Sequence, residues 1–152
     1  MTTVDAVTVD ESTLKTLVLR HRVCFESYPI WHVPPGGGMV KIGYELDLIG
    51  THDHPRHPPS PGCDECKPVR SALSAIATAI LPPDDRASRY PLEPFETKIS
   101  FSPRRKMRKD VTLAIDILHR EHVDLPVDEC EMLCLREMKE KLKALGARGE
   151  HW

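Results

Sequence analysis

Fourteen prolines are spread over the 152 residues. Each removes a backbone donor and holds φ near about −65°, so neither a helix interior nor a central strand runs through one undisturbed. The prolines punctuate the chain, and between them lie segments with clear hydrophobic periodicity. Five of them, Pro55, Pro58, Pro59, Pro61 and Pro68, crowd into the span 55–68. They punctuate a globular chain and do not mark a disordered one, because hydrophobic residues make up 40% and charged residues 29%. One domain of this length buries roughly 70% of the surface that its unfolded chain exposes, enough to stand without disulfides.

Between the breaks, hydrophobic periodicity predicts the elements. Leu14, Leu17, Val18, His21 and Phe25 recur at three- and four-residue steps and predict a helix over about 9–25, with Thr8 and Glu11 able to form a capping box. The apolar stretch Ile30-Trp31-His32-Val33 predicts a short strand at about 29–33. It is followed by Pro34-Pro35-Gly36-Gly37-Gly38 and then by strict alternation, Val40, Ile42, Tyr44, Leu46 and Leu48 against Lys41, Gly43, Glu45 and Asp47. That is the period of a half-buried strand, about 39–49, with a hairpin through the glycines. The triple glycine lacks the lysine and hydroxyl residue of a phosphate-binding loop and precedes a strand instead of opening a helix.

Val69, Leu73, Ile76 and Ile80 predict a helix over 67–81, with Pro68 tolerated in its first turn and Pro82-Pro83 ending it. Phe95, Thr97, Ile99 and Phe101 alternate with polar residues and predict a strand over 95–101. Ser102-Pro103 reads as a helix start, and Met107, Val111, Ala114, Ile117 and Leu118 then form the apolar face of a helix over 103–122. A last helix over 126–145 carries Val127, Cys130, Cys134, Met138, Leu142 and Leu145 on its apolar face, with Gly146 placed to end it. The short link around Asp124 and Leu125 predicts an antiparallel pair of helices. The expected fold is a single α+β domain spanning 1–152: a two- or three-stranded sheet packed against four helices, with a proline-rich His/Cys loop at 50–68.

No apolar run approaches the roughly 20 residues of a membrane-spanning helix. The opening Met1-Thr-Thr-Val-Asp-Ala-Val lacks the basic start and apolar stretch of a secretory signal. Five cysteines fit a reducing compartment better than a disulfide framework, so a cytoplasmic location is expected, with no role at a membrane.

The densest chemistry lies in 50–66, which holds three of the eight histidines (His52, His54, His57) and two of the five cysteines (Cys63, Cys66). Cys63-x-x-Cys66 lets two thiolates bind one tetrahedral ion from a single turn, and zinc accepts thiolate and imidazole together. His52 and His54 continue the parity of Tyr44, Leu46 and Leu48, so an extended strand would present both on one face. The candidate zinc ligands are His52, His54, Cys63 and Cys66, with His57 able to replace either histidine, and the prolines limit the entropy lost on closing the loop. Four protein ligands leave no open position for water, which favours a structural metal over a catalytic one. The plainer alternative is a solvated polar loop that binds nothing.

Two enzymatic alternatives follow from the same residues. Cys63-Asp64-Glu65-Cys66-Lys67-Pro68 entering a helix resembles thioredoxin-type oxidoreductases, which would make Cys63 the attacking thiol and Cys66 the resolving one. Those proteins bring a strand almost directly into the cysteines, whereas here a proline-rich stretch separates Gly50 from Cys63. Histidine followed by Cys-x-x-Cys and a helix is similar to the zinc-dependent nucleobase deaminases, a metal-dependent hydrolase class. The position of their acid/base glutamate holds His54 or Arg56 here.

Charge is unevenly distributed. Residues 1–66 carry five basic and nine acidic side chains, and residues 67–152 carry 16 and 14, within a net charge of −2. Arg104, Arg105, Lys106, Arg108 and Lys109 form a cluster without an acid, expected to meet Lys139, Lys141, Lys143 and Arg148 at one end of the helix pair. It suits an acidic protein partner or weak nucleic-acid binding, although no aromatic residues interleave to stack on bases. Cys130 and Cys134 share the apolar face of the last helix and read as core. A second metal site with His119 and His122 is the alternative.

Overall fold

The computed structural model describes residues 3–4, 7–8, 10–51, 66–81, 95–101, 110–119 and 132–149. Two two-residue strands, β1 (Thr3–Val4) and β2 (Val7–Thr8), pair antiparallel by themselves. Helix α1 (Glu11–Arg20) is capped by Asp10, whose carboxylate accepts the Thr13 N–H at 2.8 Å in place of the expected cap at Thr8. Leu14 and Val18 face inward.

The helix stops well short of 25. Arg22 takes a left-handed φ of 51°, and strand β3 begins at Cys24 and runs to His32. Phe25 lies four residues after His21, so it fitted a helical stripe. It also lies two after Val23, and burial at 2% and 1% exposure shows that the two-residue period governs here. β3 turns through Gly37 (φ 88°) and Gly38 (φ 79°) into β4 (Val40–Thr51), the hairpin predicted from the glycines. Their positive φ values are ones that residues with a Cβ rarely adopt. A bulge at Ile30/Trp31 places the Lys41 ammonium over the Trp31 and Tyr44 rings, at 5.3 and 5.6 Å from their centres.

Helix α2 (Cys66–Ile80) buries Val69, Leu73, Ile76 and Ile80 completely, the face read from their spacing. It lies across β4 and β6. Strand β5 (Phe95–Phe101) matches its prediction.

The helix expected over 103–122 is instead, in its described part, strand β6 (Asp110–His119). Val111, Leu113, Ile115 and Ile117 alternate and are 2% exposed or less, while Thr112 and Ala114 between them are also buried. A strand covered on both faces shows a nearly continuous apolar run, and such a run fits a helical stripe equally well. The β-branched residues Val111, Thr112, Ile115 and Ile117 favour the strand. The antiparallel helix pair therefore does not form.

Four strands in the order β3-β4-β6-β5, antiparallel at every pairing, make the main sheet. β4 and β5 flank β6 and run parallel to each other without pairing. Asp47, on the polar side of the predicted alternation, is fully buried, as are Leu46 and Leu48, so the middle of β4 is covered on both faces.

The final helix α3 (Leu133–Ala144) buries Cys134, Leu135, Met138 and Leu142 and ends before Gly146 (φ 91°), as its spacing predicted, but it starts at Leu133, because Met132 with ψ 135° is its N-cap and breaks the run expected from 126. Residues 126–131 of that expectation lie outside the described residues. Beyond α3 the chain returns beside β3, where the Phe25 N–H donates to the Arg148 carbonyl at 2.9 Å. Among the described residues, no helix is long and apolar enough to cross a membrane.

Candidate functional site

β4 ends at Thr51, immediately before His52, and α2 begins at Cys66, so the loop 52–65 is bounded by two described elements. These elements touch at their loop ends. A Cβ added to Gly50 would lie 2.6 Å from Cγ1 of Val69 and 3.5 Å from Cδ2 of Leu73. Gly50 thus brings the β4 backbone against the first turns of α2, and position 66 is less than one helical turn before Val69. Both ends of the Cys/His loop are held at one place.

A third element meets them there. The carbonyl of His21, at the C-terminus of α1, accepts the Thr51 N–H at 2.9 Å and the Thr51 hydroxyl at 3.3 Å. His21 is 8% exposed. Nothing in the local sequence signals this junction, because its partners are separated by 30 positions.

Of the four candidate zinc ligands, Cys66 is the first residue of α2, and His52, His54 and Cys63 lie outside the described residues, as does His57. The described part of β4 reaches Thr51, two residues beyond its predicted end, and Leu46, Leu48 and Gly50 are buried along its even-numbered positions. Among the described residues, no group of three or more His, Cys, Asp and Glu side chains is placed to hold a metal ion.

The basic cluster Arg104–Lys109 also lies outside the described residues, but its anchors do not. It falls between Phe101, which ends β5, and Asp110, which opens β6. Asp110 pairs with Thr51, so the basic connection and the Cys/His loop leave the sheet from adjacent positions at one end. The expected meeting of this cluster with the lysines of the last helix depended on the helix pair that β6 replaces. That replacement also removes the geometry that would bring His119 near residue 131. Cys134 is wholly buried in the core, and Cys130 and His122 fall outside the described residues.

Compared with protein-family models, with curated proteins and with solved structures, the chain matches none.

Proposed function

We propose that this is a small zinc-stabilised domain, working in the cytoplasm, that acts by binding an acidic partner and not by catalysis. His52, His54, Cys63 and Cys66 would hold the ion, which would supply folding free energy by tying the loop to the sheet and to α2. The observation that carries this reading is the contact of Gly50 with Val69 and Leu73. A loop whose ends are already fixed together loses less entropy on closing around a metal, and the donor set of two thiolates and two imidazoles suits zinc.

The pairing of Thr51 with Asp110 supports the second half of the proposal. The segment 104–109, with five cations, joins the sheet at Asp110, which pairs with Thr51, so the zinc site would stiffen one edge of a basic surface. Such a surface recognises carboxylates or phosphates through charge.

Zinc-edge X-ray absorption on the purified chain tests the ligand set. A shell of two sulfurs and two imidazole nitrogens is expected, unchanged in His57→Ala and reduced by one nitrogen in His52→Ala. Loss of nitrogen in His57→Ala would reassign that ligand, and a shell without sulfur would overturn the site.

A further inference from the structure

Helices α1 and α3 end in the same backbone turn. At the end of α1 the Val23 N–H donates to the Val18 carbonyl at 2.9 Å and the Arg22 N–H to Leu19 at 3.3 Å. At the end of α3 the Ala147 N–H donates to Leu142 and the Gly146 N–H to Lys143, both at 3.0 Å. Each turn needs one residue in the left-handed region. Gly146 supplies it at φ 91°, where a missing Cβ removes the steric penalty, but Arg22 supplies it at φ 51° and bears that penalty. Among the described residues, Arg22 is the one non-glycine residue with positive φ.

The two turns line a single cleft of about 450 Å³. Lys15, Arg22 and Arg148 bring three positive charges to it, and Val18, Val23 and Leu145 give it buried apolar walls. Backbone bonds hold its sides in place: the Arg148 N–H donates to the Val23 carbonyl at 3.3 Å, and the Phe25 N–H donates to Arg148. Lys15 reaches Glu11 at 3.4 Å, whereas among the described residues neither guanidinium has a carboxylate partner.

Helix C-termini favour nearby cations, and that accounts for Arg20, Lys141 and Lys143 in the last turns. It does not account for Arg22, since a side chain one turn earlier provides the same charge without backbone strain. Strain of this kind concentrates where a side chain is used.

We propose that the cleft binds a small molecule with an anionic head, carboxylate or phosphate, joined to a short apolar body. Arg22 and Arg148, both lining residues, carry guanidinium groups whose chemistry suits the paired oxygens of such a head, and Val18, Val23 and Leu145 suit the body. The cleft shares the terminal turn of α1 with the junction at Thr51, but none of its lining residues is a candidate zinc ligand.

Titration of the full chain with octanoate, octyl phosphate and octanol, followed through backbone amide NMR, tests this. One or both anions should shift the Arg22, Gly146 and Arg148 amides at concentrations at least about tenfold below those of octanol, and the tighter anion identifies the head. Arg22→Gly and Arg148→Gln should each weaken anion binding at least about fivefold. Arg22→Gly should at the same time raise Tm by a few degrees, because glycine relieves the left-handed backbone, so lost binding is separated from lost folding. The proposal is overturned if octanol matches the anions, if no compound moves these amides, or if Arg22→Gly binds as the parent does.

Discussion

A Cβ at position 43 would run into the carbonyl oxygen of Ile117 and lie 2.9 Å from the Leu118 Cα. Both neighbours are backbone of β6, so no rotamer change gives relief, and β4 and β6 approach each other here because residue 43 is glycine. Gly43→Ala should cost about 2–3 kcal/mol, measured by urea denaturation, through separation of the two central strands. A parent-like midpoint would show that the ladder tolerates the shift. At Asp10 the backbone N–H of Thr13 and then its hydroxyl stabilise the ionised carboxyl, holding its pKa below the ordinary value. A folded-state pKa below the unfolded one stabilises the fold above the unfolded value, and that gain is lost as pH falls through the folded value. Asp10→Ala should therefore lower Tm at about pH 7, with the gap narrowing as pH falls below the ordinary carboxylate range; a gap constant with pH would assign the cap no electrostatic part.

Elements with a single period were legible in the sequence. Val69, Leu73, Ile76 and Ile80 fit only a helix, and Tyr44, Leu46 and Leu48 only a strand, and both elements form. β6 was not legible, because Val111, Ala114, Ile117 and Leu118 satisfy helical spacing while Val111, Leu113, Ile115 and Ile117 satisfy a strand's. What decides between them is burial on both faces, and that comes from α2 and from strands distant in sequence. The strand order β3-β4-β6-β5 was hidden for the same reason. Of the site, the residue types and their spacing could be read, but not the junction of Gly50, Val69, Thr51 and His21 that brackets the loop, since it is made by tertiary packing alone. Ile115 sits at the centre of β6, fully buried. Ile115→Ala should cost about 2–4 kcal/mol, whereas Leu133→Ala, at a residue 45% exposed at the start of α3, should cost under about 0.5 kcal/mol. Equal losses in thermal or denaturant melts would contradict a core centred on the sheet.

At the scale of the molecule, one end of the sheet gathers the β4 terminus, the first turn of α2 and the two anchors of the basic connection. If that end is a binding surface, association with duplex DNA or polyglutamate should weaken steeply with salt, for DNA with a slope of roughly −0.9 per phosphate neutralised. Charge reversal at Arg105 and Lys109 should weaken it further while leaving the metal content unchanged; binding that ignores both salt and these charges would place recognition elsewhere. The central claim is the metal itself, and the most direct measurement is elemental analysis of the chain purified without added metal, paired with a melt before and after chelation. About one zinc per chain is expected, with Tm falling by several degrees on its removal and Cys66→Ser reproducing that fall. A chain that carries no metal, or one whose melting is unchanged when its zinc is stripped, would contradict the account.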